Sequence, residues 1–142
     1  MRMLACLDRP PAGVVILDGV DLWRMSELAR ARTRAGLVTH IYQRPSDNLF
    51  GHLTAEMQLV RLVRTGESLD VVDHWLQALG LERQRSLRPA QMSGGERQRL
   101  AFARAAVSGH RLVLADEPTA QRDSANTAAV LDAIDVLAER GL

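Results

Sequence analysis

A chain of 142 residues, 46% hydrophobic and 25% charged, has the length and composition of one globular domain. Its net charge of +1 argues against a surface built to grip nucleic acid, so no nucleic-acid partner is expected. The single cysteine, Cys6, excludes an internal disulfide or a multi-cysteine zinc site, and no apolar run reaches the roughly 18 residues a membrane helix needs. Aromatic residues make up only 4%, so the core is expected to be Leu, Val and Ala. The N-terminus, with Arg2, Asp8 and Arg9, reads as no signal peptide, and cysteine usage fits a reducing cytoplasm. All 18 basic residues are arginine. A phosphate-binding loop of the G-x-x-x-x-G-K-[ST] kind needs a lysine to reach the β- and γ-phosphates, and these residues hold none.

In chain order, residues 1–7 read as the last turns of a helix. Pro10 and Pro11 then forbid its continuation. Residues 14–17 form a short strand, and Asp18-Gly19 is a turn signal. Ser26 caps a helix to about Ala35, closed by Gly36. Leu37 to Gln43 is a strand entering the loop 44–52. Helices follow at about 53–65 and 68–79, punctuated by Gly66 and Gly80. After a polar connection comes a helix from Gly94 to about Ser108. Arg111 to Asp116 reads as a strand buried on both faces. A last helix covers about 124–139, with Gly141 as its C-cap. The order gives an α/β core with a helical insertion.

Ser93-Gly94-Gly95-Glu96 opens the helix at 94. One reading is a capping box between Ser93 and Glu96, worth about 1 kcal/mol. A capping box does not need two consecutive glycines, which cost about 1 kcal/mol each against Ala inside a helix. Paired glycines let a ligand approach the backbone, and the exposed amides at the positive helix end suit a phosphate.

The strand Leu112-Val113-Leu114-Ala115 ends in Asp116-Glu117-Pro118. Two adjacent carboxylates at the C-terminal end of a strand lie where α/β sheets bind ligands. The first can hold Mg²⁺ and the second can take a proton from attacking water. The plain alternative is a solvated acidic turn. Gln43 ends the earlier strand. By itself it reads as a surface amide.

These segments together resemble the ABC transporter ATP-binding family. Met92 to Glu96 and the following Arg97-Gln98-Arg99-Leu100-Ala101-Phe102-Ala103-Arg104-Ala105 resemble its signature motif and helix, with Met92 where Leu is usual. Leu112 to Pro118 resembles its Walker B segment, and Thr119 to Asp123 its D-loop, with Arg122 where Leu is common. Gln43 and Asn48-Leu49-Phe50-Gly51-His52-Leu53-Thr54 resemble its Q-loop, and Met57-Gln58 stands where Glu-Asn is common. The wording is nearest the lipoprotein-releasing and macrolide-exporter branch.

The resemblance implies an α/β, partial P-loop NTPase core with a helical signature subdomain. The core would come from 1–52 and 111–142, and the subdomain from 53–110. It implies ATP and Mg²⁺ as cofactors, with Glu117 as catalytic base and Gln43 and Asp116 as the metal-binding pair. Gln43, Ser93, Gly94, Gly95, Glu96 and Asp123 become the ATP-binding residues. A transmembrane permease subunit and a homo- or heterodimer of ATPase domains would be the partners, at the cytoplasmic face of the cell membrane. The implied function is the ATP-hydrolysing subunit of an exporter. The family's phosphate loop and switch histidine fall outside residues 1–142. The expectation is an incomplete domain, inactive alone. The alternative is a non-catalytic partner lending its signature motif in trans. A DNA-repair ATPase of the same family is disfavoured, because the spacing from Gln43 to Ser93 leaves no room for a long coiled coil.

Overall fold

The computed structural model describes residues 2–116 and 124–139, the latter as backbone only at 124–127 and 129. Residues 2–6 form turns, not the expected end of a helix. The Leu7 and Asp8 amides both return to the Arg2 carbonyl, and Cys6 takes a left-handed φ of 51°. A hairpin follows, β1 (Ile16–Leu17) against antiparallel β2 (Val20–Asp21). Asp18 and Gly19 both have positive φ, 51° and 78°, the pair of values a tight type I′ turn requires. Arg111 reaches this turn with bonds of 2.8 Å to both Asp18 oxygens.

Helix α1 (Glu27–Leu37) starts at the predicted cap, where Ser26 Oγ accepts from the Ala29 amide at 3.4 Å. It runs through Gly36 and ends on Val38, which is already extended. None of its residues is buried, as the arginine run at 24–34 suggests for a solvated face. Arg30 lies 4.1 Å from the centroid of the Trp23 ring.

Strand β3 (Val38–Ile41) pairs in parallel with β4 (Leu112–Ala115), Ile41 opposite Ala115. Between them run three helices, α2 (Ala55–Val60), α3 (Asp70–Ala78) and α4 (Gly94–Val107). Helix α2 is shorter than the expected 53–65. Thr54 caps it, and after Val60 the chain tightens into turns from Leu62 to Leu59 and Val63 to Val60. Helix α5 (Ser124–Glu139) closes the described chain as predicted.

The core is centred on α4. Leu100, Ala101, Phe102, Ala103, Ala105, Ala106 and Val107 are all buried, so this helix is covered on nearly every side. Its alanines let α2, α3 and α5 approach, and Leu59, Val72, Trp75, Leu76, Val130, Ala133 and Leu137 fill the same cluster with Ile41. Trp75 is therefore a packing residue, as its sequence setting suggests. Phe102 is among the largest fully buried side chains. By contrast β4 is not buried on both faces; only Leu114 is. Among the described residues β3 is its single neighbour in the sheet. The turn from α4 into β4 is pinned to β3, with Thr39 Oγ1 lying 3.1 Å from Ser108 Oγ and 2.5 Å from His110 Nδ1.

Candidate functional site

The parallel register settles where two of the expected residues lie. Ile41 pairs with Ala115, and the Asp116 amide donates to the Ile41 carbonyl at 3.1 Å. Gln43 and Asp116 therefore leave the sheet at the same C-terminal end, both exposed. That end is where ligands meet parallel sheets. Glu117 and Asp123 lie outside the described residues, as does the expected cap Gly141. The donor chemistry of the pair fits a hard cation: magnesium takes oxygen ligands, keeps several waters and needs only one or two protein carboxylates.

The N-terminus of α4 shows one of the two readings posed by Ser93-Gly94-Gly95-Glu96. The capping box is present: Ser93 Oγ accepts from the Glu96 amide at 3.2 Å, and a Glu96 carboxylate oxygen accepts from the Ser93 amide at 2.7 Å. It does not exclude an anion site. A helix leaves its first four amides without intrahelical partners. The box consumes those of Ser93 and Glu96, and the remaining two belong to Gly94 and Gly95. Both glycines lie outside the positive-φ set, so the backbone there does not demand glycine. Glycine leaves no side chain at these two positions of a positive helix end, where Gly94 is half-buried and Gly95 buried.

Sequence reasoning missed the groups that hold these segments in place. Gln84 Nε2 donates to the second Glu96 oxygen at 2.8 Å. The bond from the Ser93 amide, aided by those from Ser93 Oγ and Gln84, holds the Glu96 carboxyl below its ordinary range despite its desolvation. Arg97 Nη1 donates to the Pro89 and Met92 carbonyls, at 3.2 and 3.0 Å, fixing the approach to the helix. Gln58, which stands off the family pattern, is buried. Its Oε1 accepts from the Phe50 amide at 3.0 Å and its Nε2 donates to the Leu53 carbonyl at 3.5 Å. The signal for Gln58 and Gln84 was weak in the sequence, because a glutamine in a polar stretch looks solvated until its partner is placed.

A groove of about 340 Å³ lies between β3, the segment 47–50 and α4, with Tyr42, Phe50, Leu62 and Arg104 among its lining residues. Tyr42 and Phe50 are exposed, as are Met57 and Val60 on α2. Among the described residues no helix is long and apolar enough to cross a membrane.

Residues 1–120 match the family model described as ABC transporter. Among relatives, the chain is 40% identical over 146 residues to the lipoprotein-releasing system ATP-binding protein LolD 2 of Caulobacter vibrioides, covering 96% of this chain and 61% of that protein. It is 37% identical over 146 residues to the macrolide export ATP-binding/permease protein MacB of Escherichia coli O157:H7, covering 99% of this chain and 22% of that protein. In three dimensions it resembles the dimeric ATP-binding cassette MJ0796 in a post-hydrolysis state bound to ADP and phosphate. There the TM-score is 0.76 at 28% identity, over 99% of this chain and 64% of that one. The chain spans about three-fifths of the length of LolD 2 and of a second lipoprotein-releasing ATP-binding protein, from Shewanella.

Proposed function

We propose, from the premise that this chain belongs to the ABC transporter family, that it forms the signature and Walker B portion of an exporter's ATP-hydrolysing subunit. The observation that carries the reading is the convergence of Gln43 and Asp116 at one end of a parallel strand pair, on a chain whose α4 begins with two amides left over from its capping box. The domain divides into core portions 1–52 and 111–142 and a helical subdomain 53–110, with ATP and Mg²⁺ as cofactors.

In this reading Asp116 and the Gln43 side-chain oxygen would hold the magnesium ion. Bound there, the ion supplies charge neutralisation for the β- and γ-phosphate oxygens. Glu117 accepts a proton from the attacking water. Ser93, Gly94 and Gly95 offer hydroxyl and amides to the nucleotide held by the opposing domain. Glu96 and its partner Gln84 keep that helix end folded, and Asp123 is assigned to the nucleotide. The groove beside Tyr42 and Phe50 receives a segment of a transmembrane permease at the cytoplasmic face of the membrane.

A second reading rests on the absence of lysine. The 142 residues carry no phosphate-binding lysine, so by themselves they do not hydrolyse ATP, and they act by lending Ser93 to Gly95 to another subunit's nucleotide. The two readings separate by experiment. A cassette completed with a relative's phosphate-loop segment should hydrolyse ATP, with activity dependent on Glu117. If only mixtures with a separate complete ATPase respond, and they respond through Ser93, the lending role is the right one.

A further inference from the structure

We propose that Asn48 and Arg104 are positioning residues that latch the Gln43 segment to helix α4. The metal-binding residue and the helix end carrying Ser93 to Gly95 then move as one piece. The functional side of this rests on the role given to Gln43 above; the latch itself stands on its own bonds.

Ladder pairing of β3 stops at Ile41, whose carbonyl faces β4 and accepts from Asp116. Along a strand the N–H and C=O of successive residues point alternately to opposite sides. Those of Tyr42 therefore face the outer edge, away from β4. Asn48 meets them there as a neighbouring strand would. Its Oδ1 accepts from the Tyr42 amide at 2.8 Å and its Nδ2 donates to the Tyr42 carbonyl at 3.0 Å. The same Nδ2 donates its second hydrogen to the Arg44 carbonyl at 3.2 Å. One side chain thus grips the backbone on both sides of Gln43, with both amide hydrogens used.

Asn48 is in turn held by α4. The Arg104 guanidinium donates to the Asn48 carbonyl and lies 4.9 Å from the centroid of the Phe50 ring. Arg104 is partly buried and sits roughly 15 Å along the same helix from Gly94, given a rise of about 1.5 Å per residue. A displacement of α4 therefore carries Asn48 with it, and Asn48 carries the backbone around Gln43.

Hydrogen exchange on the 142-residue chain reads the latch directly. Asn48→Ala should speed exchange of the Tyr42 amide about tenfold while the amides of α4 stay within about twofold. Asn48→Asp separates the two halves of the grip. Its carboxylate still accepts from the Tyr42 amide but can no longer donate to the Tyr42 and Arg44 carbonyls, so the Tyr42 amide should stay better protected than in Asn48→Ala. Arg104→Ala should loosen residues 48–50 with α4 still helical. An unchanged Tyr42 amide in Asn48→Ala overturns the latch.

In the completed cassette, Asn48→Ala should lower kcat about tenfold with KM for ATP within about twofold. Adding it to Gln43→Ala should cause no further loss. Additive losses would show that Asn48 does not act through Gln43. If Gln43→Ala alone leaves kcat unchanged, the metal role of Gln43 fails, and the exchange results still decide the latch.

Discussion

Gly94→Ala separates what glycine does for the helix from what it does for a ligand. Gly94 is the first residue of α4, half-buried and with φ outside the positive range. Alanine at a compatible helical position stabilises by about 0.4–1 kcal/mol, through higher propensity and a less flexible unfolded chain. For a domain of this length that raises Tm by roughly 2–5 °C. The same methyl group stands over two amides that have no intrahelical partner, and it blocks close approach of a phosphate. The variant should therefore melt higher by circular dichroism and lose ATP-dependent association with a hydrolysis-deficient complete cassette. Ser93→Ala makes the contrast, because it removes the cap, costs about 1 kcal/mol and lowers both readouts. If Gly94→Ala melts higher and still associates as the wild type does, the glycine pair is not there for a ligand, and the anion-site reasoning is wrong.

The Glu96 carboxyl is held below its ordinary range in the folded chain, chiefly by the Ser93 amide. A depressed folded pKa gives stability that is present above the unfolded value of about 4.3 and lost as pH falls through the folded value. Tm should therefore drop on acidification below about pH 4.3, and Glu96→Gln should lack that component while melting lower at neutral pH. Burial, with Arg64 adding to it, pushes His110 down from 6.5. Its NMR titration midpoint should lie below that of a free imidazole, and Arg64→Ala should move it upward but not restore it fully. Phe102→Ala should cost about 3–5 kcal/mol, read by urea melts, because the ring is wholly buried where α4 meets its neighbours.

Much of the fold was legible because local chemistry and tertiary packing agree. Ser26 and Ser93 announce helix starts that the structure keeps, and the alanine-rich run after Glu96 reads as a helix that other helices can approach. The errors have a common physical origin. Ends of elements are set by contacts that no local pattern records, as in α2, whose final turns tighten after Val60, and residues 2–6, where backbone bonds to Arg2 replace a helix. Strand β4 looked doubly buried because its residues are apolar, yet burial depends on which neighbours flank it.

The candidate site was legible in its residue types but not in its scaffolding. Adjacent carboxylates after an apolar strand, and paired glycines after a serine, are patterns with a chemical reason. Asn48, Gln58, Gln84 and Arg104 carry no such pattern. Their partners are set by how loops and helices meet, 56 residues apart for Arg104 and Asn48, so only the folded chain assigns them.

The central claim is that Asp116 and Glu117 serve an ATP-hydrolysing centre, with Glu117 taking the proton from water. Its most direct test is the single-turnover rate of ATP hydrolysis by the cassette completed with a phosphate-loop segment, before and after Glu117→Gln. Loss of a general base predicts a fall of about 10²–10⁴ with nucleotide binding retained. A rate within about twofold of the parent would contradict the account.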